Sequence, residues 1–144
     1  MSAGEKVFVD ANVFMYLVGR DADLRQRCRS TLRHLVERQV ALVTSAEVLQ
    51  ELLHRYSALN RIDTARAVHD AAIRICAEIL PVTEQHTSSA LDLLQRHGQL
   101  SARDALHVAT MESRGIRRIL SADRDFDKLD VVERVDPATP AAGM

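Results

Sequence analysis

Tryptophan is absent and aromatic residues make up only 3% of the chain, so stacking of bases on aromatic platforms is a poor candidate for recognition here. Cysteine is scarce as well. Cys28 and Cys76 each lie inside a helical apolar pattern, and neither has a C-x-x-C or zinc-type spacing, which argues against a disulfide scaffold and against structural zinc. No stretch approaches the run of roughly 18 apolar residues that crosses a bilayer. The opening MSAGEKVFVD lacks the charged-then-apolar layout of a secretory signal, so a cytoplasmic protein with no membrane partner is expected. Lysine is the last scarcity: of 19 basic residues only Lys6 and Lys128 are lysine. Arginine's planar fork suits phosphate, which makes this bias compatible with a nucleic-acid partner, although genomic base composition produces the same bias with no functional cause. The net charge of -1 argues neither way.

What is present is enough for one core. At 144 residues and 47% hydrophobic, the chain has the size of one compact domain and is short for two. It contains no internal repeat, low-complexity stretch or interior linker. A single domain over residues 1–135 is expected, followed at 136–144 (DPATPAAGM) by the composition of a disordered tail.

The apolar pattern alternates between strand and helix periods. KVFVD at 6–10 is a β-branched and aromatic run ending abruptly in a carboxylate, as a buried parallel strand does. A short apolar helix follows from Val13 to Val18 and stops at Gly19. Asp23 can cap a second helix reaching about Arg38, with Leu24, Cys28, Leu32, Leu35 and Val36 on one face and Arg25, Arg29 and Arg33 on a neighbouring stripe. ALVT at 41–44 reads as a strand. Ser45 caps the next helix, whose buried face is Val48, Leu49, Leu52, Leu53 and Tyr56. A further helix covers Asp63 to about Glu78, then a strand from Ile79 to Val82, a helix capped by Thr83 that ends near Gly98, and a helix from Ser101 to Gly115. RRIL at 117–120 is a strand, DRDFDKL carries one helical turn, and VVERV at 131–135 is a fifth strand. Strands separated by helices need crossover connections, so the class is α/β, helix-rich, with a parallel sheet covered on both faces.

In such sheets ligands gather outside the carboxyl ends of the strands, which makes strand-terminal residues the ones to inspect. Asp10 closes the first strand and Asp123 follows the fourth. Glu51 lies on the helix after the second strand, and Asp104 in the first turn of the helix before the fourth. Each has a plain structural reading: Asp10 with Asn12 caps a helix, Asp104 completes a capping box with Ser101, Glu51 pairs with Arg55, and Asp123 or Asp125 caps the turn at DFDKL. Four such caps at the correct ends of four elements explain less than one shared ion does. Converging carboxylates repel, and a hard divalent cation resolves the conflict. Glu51 lies closer to the edge of its helix's apolar face than Glu47, so Glu51 is the choice and Glu47 the reserve.

The series FVDANV (8–13), VLQELLHR (48–55), SARDALHVAT (101–110) and LSADRDF (120–126) resembles the PIN-domain nucleases, and in size and order most resembles VapC-type toxins of bacterial type II toxin-antitoxin systems. The likeness runs from Lys6 to about Val135. Carried over by position, the family's acids fall on Asp10, Glu51, Asp104 and Asp123. Asn12 matches its D-x-N, Ser121 the polar residue before the last acid, and Asp125 a further acidic position that varies among members.

The resemblance implies a three-layer α/β/α fold with a central, mostly parallel sheet of about five strands. It also implies an endoribonuclease that hydrolyses RNA phosphodiester bonds with Mg²⁺ or Mn²⁺, held by Asp10, Asp104 and Asp123. Glu51 would ligate through water or position the nucleophile. The implied partners are an RNA substrate, a cognate antitoxin and a second copy in a homodimer. The six histidines show no paired arrangement for 2′-hydroxyl chemistry, and structural roles are expected for His54 and His107. Two rivals remain. A phospho-receiver or phosphatase would want an aspartate at a middle strand end and a lysine after a later strand, whereas the third strand ends in PVTE and Lys128 follows a helical turn. A catalytically idle scaffold would serve as a dimeric partner-binding module through the apolar faces of the helices at 46–59 and 63–79.

Overall fold

Five strands, β1 (Lys6–Val9), β2 (Ala41–Ser45), β3 (Glu78–Leu80), β4 (Arg118–Leu120) and β5 (Glu133–Val135), form one sheet in the computed structural model, which describes residues 1–139. The order is β3-β2-β1-β4-β5, and every neighbouring pair is parallel. Each strand coincides with one the sequence predicts, and the α/β class follows. Parallel neighbours cannot be joined by hairpins. The crossovers are α1 (Ala11–Leu17) and α2 (Ala22–Glu37), α3 (Ala46–Ala58) and α4 (Ile62–Ile75), then α5 (Glu84–Arg96) and α6 (Ala102–Glu112). A short 3-10 helix, Arg124–Lys128, leads into β5.

Right-handed crossovers decide the layers. The chain steps in one direction from β1 through β2 to β3, which puts α1 to α4 on one face. It then returns from β3 to β4 on the far side of β1, which puts α5 and α6 on the other. The packing agrees: α1 touches α2, α3 and α4, while α5 lies along α6. β1 sits at the centre with Val7, Phe8 and Val9 fully buried, and Val43, Ile119 and Leu120 flank it. Phe14, Leu35 and Leu52 fill one side, and Ala105, Val108 and Met111 belong to α6 on the other.

Local chemistry sets the element ends, with some departures from expectation. Ser45 and Ser101 cap α3 and α6 as predicted, accepting from Val48 N and Asp104 N, and the Thr83 N–H that opens α5 donates to His86 Nδ1 at 2.9 Å. The cap of α2 is Asp21, which accepts from Leu24 N; Asp23 lies instead in the first turn and pairs with Arg27. Val36 and Leu53, assigned to buried faces, are 55% and 44% exposed, because each lies one residue beyond the stripe its helix buries. The fourth helix stops at Ile75, earlier than expected, because Ala77 N donates to Leu42 O and draws the chain onto the sheet edge. β3 ends at Leu80, since Pro81 has no N–H to extend it. Of the segment 136–144, residues 140–144 lie outside the described residues. In the remainder, Asp136 Oδ1 accepts from Ala138 N and Thr139 N, and Pro137 O accepts the Thr31 hydroxyl at 2.7 Å.

Candidate functional site

The strand sequence reverses direction at β1, whose neighbours are β2 on one side and β4 on the other. The carboxyl ends of strands at such a switch point leave a crevice. Asp10 follows β1 and Ser121 follows β4, and the register pairs Val9 with Leu120, so the two polar residues emerge side by side. Asp10 N donates to Leu120 O at 3.0 Å, extending the ladder to the rim.

The Ser121 hydroxyl, fully buried, organises this rim. It donates to Asp10 Oδ2 at 2.6 Å and accepts from Asn12 Nδ2 at 3.1 Å and from Asp123 N at 3.0 Å. One proton and two lone pairs are all a hydroxyl has, so its capacity is used up. Asn12 adds a second tie, its Oδ1 accepting from Ala122 N at 3.1 Å, and Asp10 Oδ1 accepts from Ala11 N at 2.8 Å. The D-x-N segment after β1 thus clips the 121–123 loop in place.

Two further acids come from α6 and the 3-10 helix. Asp104 occupies the first turn of α6, held there by its N–H bond to Ser101 Oγ at 3.1 Å. Asp123 caps the 3-10 helix, Oδ1 accepting from Asp125 N at 2.9 Å. Asp104, Asp123 and Asp125 bring one oxygen each within 4.8 Å of one another, and Asp125 also pairs with Lys128 Nζ at 3.2 Å. On the opposite side, Glu51 from α3 places Oε1 2.6 Å from His107 Nε2, which lies 3.7 Å from Asp10 Oδ1. Asp10, Glu51 and His107 form a second group with ligand atoms within 4.8 Å. The expected acids therefore meet at one rim in two adjoining groups, with Asp10 in one and Asp104 and Asp123 in the other. Among the described residues, Glu47 makes none of the site's hydrogen bonds.

His107 joins the site, where the sequence favours a structural role for it. It is 1% exposed, and its ring touches both Glu51 and Asp10. A lone histidine among apolar helical residues reads as core, yet its position one turn after Asp104 put it on the same helix face. The arginine stripe lies elsewhere. Arg25 donates to Gly19 O at 2.7 Å, while Arg29 and Arg33, with Arg74, line a groove floored by Leu17, Leu32 and Ile75. Arg103 is the cation beside Glu51, its Nε 3.8 Å from Glu51 Oε1 and its side chain half exposed.

Electrostatic conflict is built into the rim. Burial raises the Asp10 carboxyl above its ordinary value, against the pull of His107 and the Ser121 hydrogen bond. Burial, with the hydrogen bond and charge of Asp123 and the charge of Asp10, pushes Asp104 up to about 7. For His107, burial acts to lower the value, but the hydrogen bond to Glu51 and the charges of Asp10, Glu51 and Asp104 outweigh it and the net shift is upward. Crowded, partly buried carboxylates that must share protons offer hard oxygen donors to a small divalent cation, and the donor set fits Mg²⁺ or Mn²⁺ better than a thiophilic ion. Cys28 and Cys76 are buried and unpaired by a disulfide, with burial pushing their thiols up to about 11 and about 12.

Comparison with known proteins places this geometry in a family. A family model described as PIN domain matches residues 7–132. Ribonuclease VapC13 of Mycobacterium tuberculosis is 40% identical over 129 residues, 90% of this chain and 98% of that protein. Ribonuclease VapC23 of the same species is 45% identical over 117 residues, 81% and 92% of the two chains. Among solved structures, that of Mycobacterium tuberculosis VapC20, described as a sarcin-ricin loop cleaving toxin, superposes with a TM-score of 0.66 at 26% identity, covering 85% of this chain and 93% of that one. The DNA-bound VapBC of Salmonella typhimurium shares the fold at a TM-score of 0.72 and 19% identity, covering 92% and 98%. The chain belongs to the PIN-domain family and, within it, to the VapC ribonucleases.

Proposed function

We propose that this protein is a Mg²⁺- or Mn²⁺-dependent endoribonuclease, the toxin of a toxin-antitoxin pair. The observation that carries the reading is a pair of acid groups beside the switch point of the sheet, Asp10 and Glu51 with His107 in one and Asp104, Asp123 and Asp125 in the other. Its support is membership among proteins named as VapC ribonucleases. Asp10, Asp104 and Asp123 would hold the cation between the two groups, with Asp125 as an outer acid. The bound ion supplies charge neutralisation at the phosphate and a lowered pKa for water. Ser121 and Asn12 keep Asp10 in one orientation, so the ion-binding oxygens need not reorganise when RNA arrives. Glu51 positions the attacking water and takes its proton. Arg103, half exposed at the lip, holds an RNA phosphate as the scissile bond is presented; contact with backbone rather than bases suits a chain with so few aromatics.

Partners fit the remaining surfaces. Leu53 on α3, Leu59 just after it and Ile62 at the start of α4 are exposed and form the homodimer face. The groove of α1, α2 and α4, lined by apolar side chains, by Arg29, Arg33 and Arg74 and by a single acid, Glu37, accepts an acidic, amphipathic antitoxin segment.

The test is cleavage of RNA by the purified chain. The expected result is activity lost in EDTA, restored by Mn²⁺, and leaving 5′-phosphate and 3′-hydroxyl ends. Asp10→Asn should lower kcat on the order of 10²-fold or more while the metal-free melting temperature stays level or rises slightly. Full Mg²⁺-dependent cleavage by that variant would overturn the reading.

A further inference from the structure

Glu51 is held differently from Asp10 and Asp123. Asp10 has the hydrogen bonds of Ser121, Asn12 and Ala11, and Asp123 is tied by its own backbone and by Asp125 N. Among the described residues, Glu51 has one hydrogen bond, from His107 Nε2 to Oε1 at 2.6 Å; Arg103 Nε is the next cation, at 3.8 Å. The two partners come from helices on opposite faces of the sheet, α3 and α6. A short bond between them spans the crevice.

The acceptor is a carboxylate oxygen, so Nε2 carries the proton that makes the bond, in the neutral and the charged ring alike. The other ring nitrogen, Nδ1, is buried with no hydrogen-bond partner. The ring otherwise packs against Phe8, centroids 5.5 Å apart. If packing were the whole role of this side chain, an apolar one of similar volume would fill the space without an unpaired polar atom, which is costly in a core. The compensation therefore lies at Nε2. Because Oε1 is taken by His107, Oε2 is the oxygen of Glu51 left for water or an ion.

We infer that His107 is a positioning residue for the cleavage reaction: by gripping Glu51 Oε1 across the crevice, it turns Oε2 into the acidic pocket. The inference rests on the ribonuclease reading above and deepens it, since it says what sets the orientation of Glu51. It needs only the reach of one N–H, so it distinguishes substitutions that keep that reach from those that do not.

Four variants test it: His107→Gln, whose amide nitrogen extends to the place of Nε2; His107→Asn, polar but too short; His107→Leu, apolar and of similar volume; and Glu51→Gln. His107→Gln is expected to keep kcat within about threefold, while His107→Asn and His107→Leu lose about 10- to 100-fold with KM for RNA little changed. Mn²⁺ affinity measured by calorimetry without RNA should weaken several-fold in the Asn and Leu variants and not in the Gln variant. Combined with Glu51→Gln, His107→Leu should lower kcat by less than about twofold further, since the residue acts through Glu51. Gln and Asn bury equivalent polar groups and differ in reach, so their comparison stands even if His107→Leu folds poorly. Equal activity and Mn²⁺ affinity in the Gln and Asn variants, or a full additional loss in the Glu51→Gln background, would overturn the inference and leave the ribonuclease reading intact. A wild-type protein without metal-dependent cleavage would overturn both.

Discussion

Single atoms at the rim have unequal consequences. The Ser121 hydroxyl serves three partners at once, and Ser121→Ala strips Asp10 of its shortest hydrogen bond while freeing the 121–123 loop from Asn12. Losing a saturated buried hydroxyl costs about 1 to 2 kcal/mol, and the misplacement of Asp10 should lower kcat by about tenfold or more. Urea unfolding and cleavage rate read the two effects separately; a variant stable as wild type and fully active would show that the network is ornamental. Asp104 behaves in the opposite sense. Its carboxyl is raised to about 7 by burial and by Asp123 and Asp10, against an ordinary value near 4 in the unfolded chain. The folded state therefore binds more protons between about pH 4 and pH 7, and stability from this group falls as pH rises through that window and levels off above it. In metal-free buffer Asp104→Asn should remove the penalty. Allowing for solvent screening at the rim, it should be more stable than wild type by about 2 kcal/mol at pH 8 and unchanged at pH 4. A gain of the same size at both pH values would mean that charge repulsion is not its source.

Elements carry these atoms, and their ends decide where the atoms sit. The first turn of α6 bears Asp104, and Ser101 anchors it through the Asp104 N–H. Ser101→Ala should cost about 1 kcal/mol in urea unfolding and, by loosening that turn, weaken Mn²⁺ binding several-fold; lost stability with unchanged Mn²⁺ affinity would separate the cap from the site. Most of this was legible in the residues. Val7, Phe8 and Val9 form the continuous apolar run of a strand buried on both faces, and Ser45 and Ser101 stand where their helices begin. The limits were physical. Asp21 and Asp23 are chemically equal caps, and only the backbone turn decides that Asp21 reaches Leu24 N. The end of α4 was set by a sheet partner, Leu42 O, remote in sequence, and no local propensity encodes it. Strand ends mark Asp10 and Asp123, a helix start marks Asp104, and the edge of an apolar helix face marks Glu51. Their division into two adjoining groups is not marked, and neither is the bond from His107 to Glu51, because both depend on distances across the crevice between helical layers.

At the scale of the molecule, the site is a joint. Glu51 comes from the layer containing α3, Asp104 and His107 from α6 on the opposite face, and Asp10, Ser121 and Asp123 from the central strands and the loop that leaves β4. Like charges at the joint push the layers apart, and an ion bound there would tie them together, so stability of the whole fold and occupancy of the site are linked. The proton held by Asp104 must leave for its oxygens to hold an ion. Below about pH 7 Mn²⁺ affinity should therefore rise by up to about tenfold per pH unit and flatten above it. The melting temperature gained at a fixed excess of Mn²⁺ should be larger at pH 8 than at pH 6, although the metal-free protein is the less stable of the two at pH 8. Calorimetric titration in buffers of different ionisation enthalpy counts the proton directly: close to one released at pH 6 and few at pH 8. An affinity constant across that range, with no proton released, would place the ion away from Asp104 and leave the raised carboxyl without a role in metal binding.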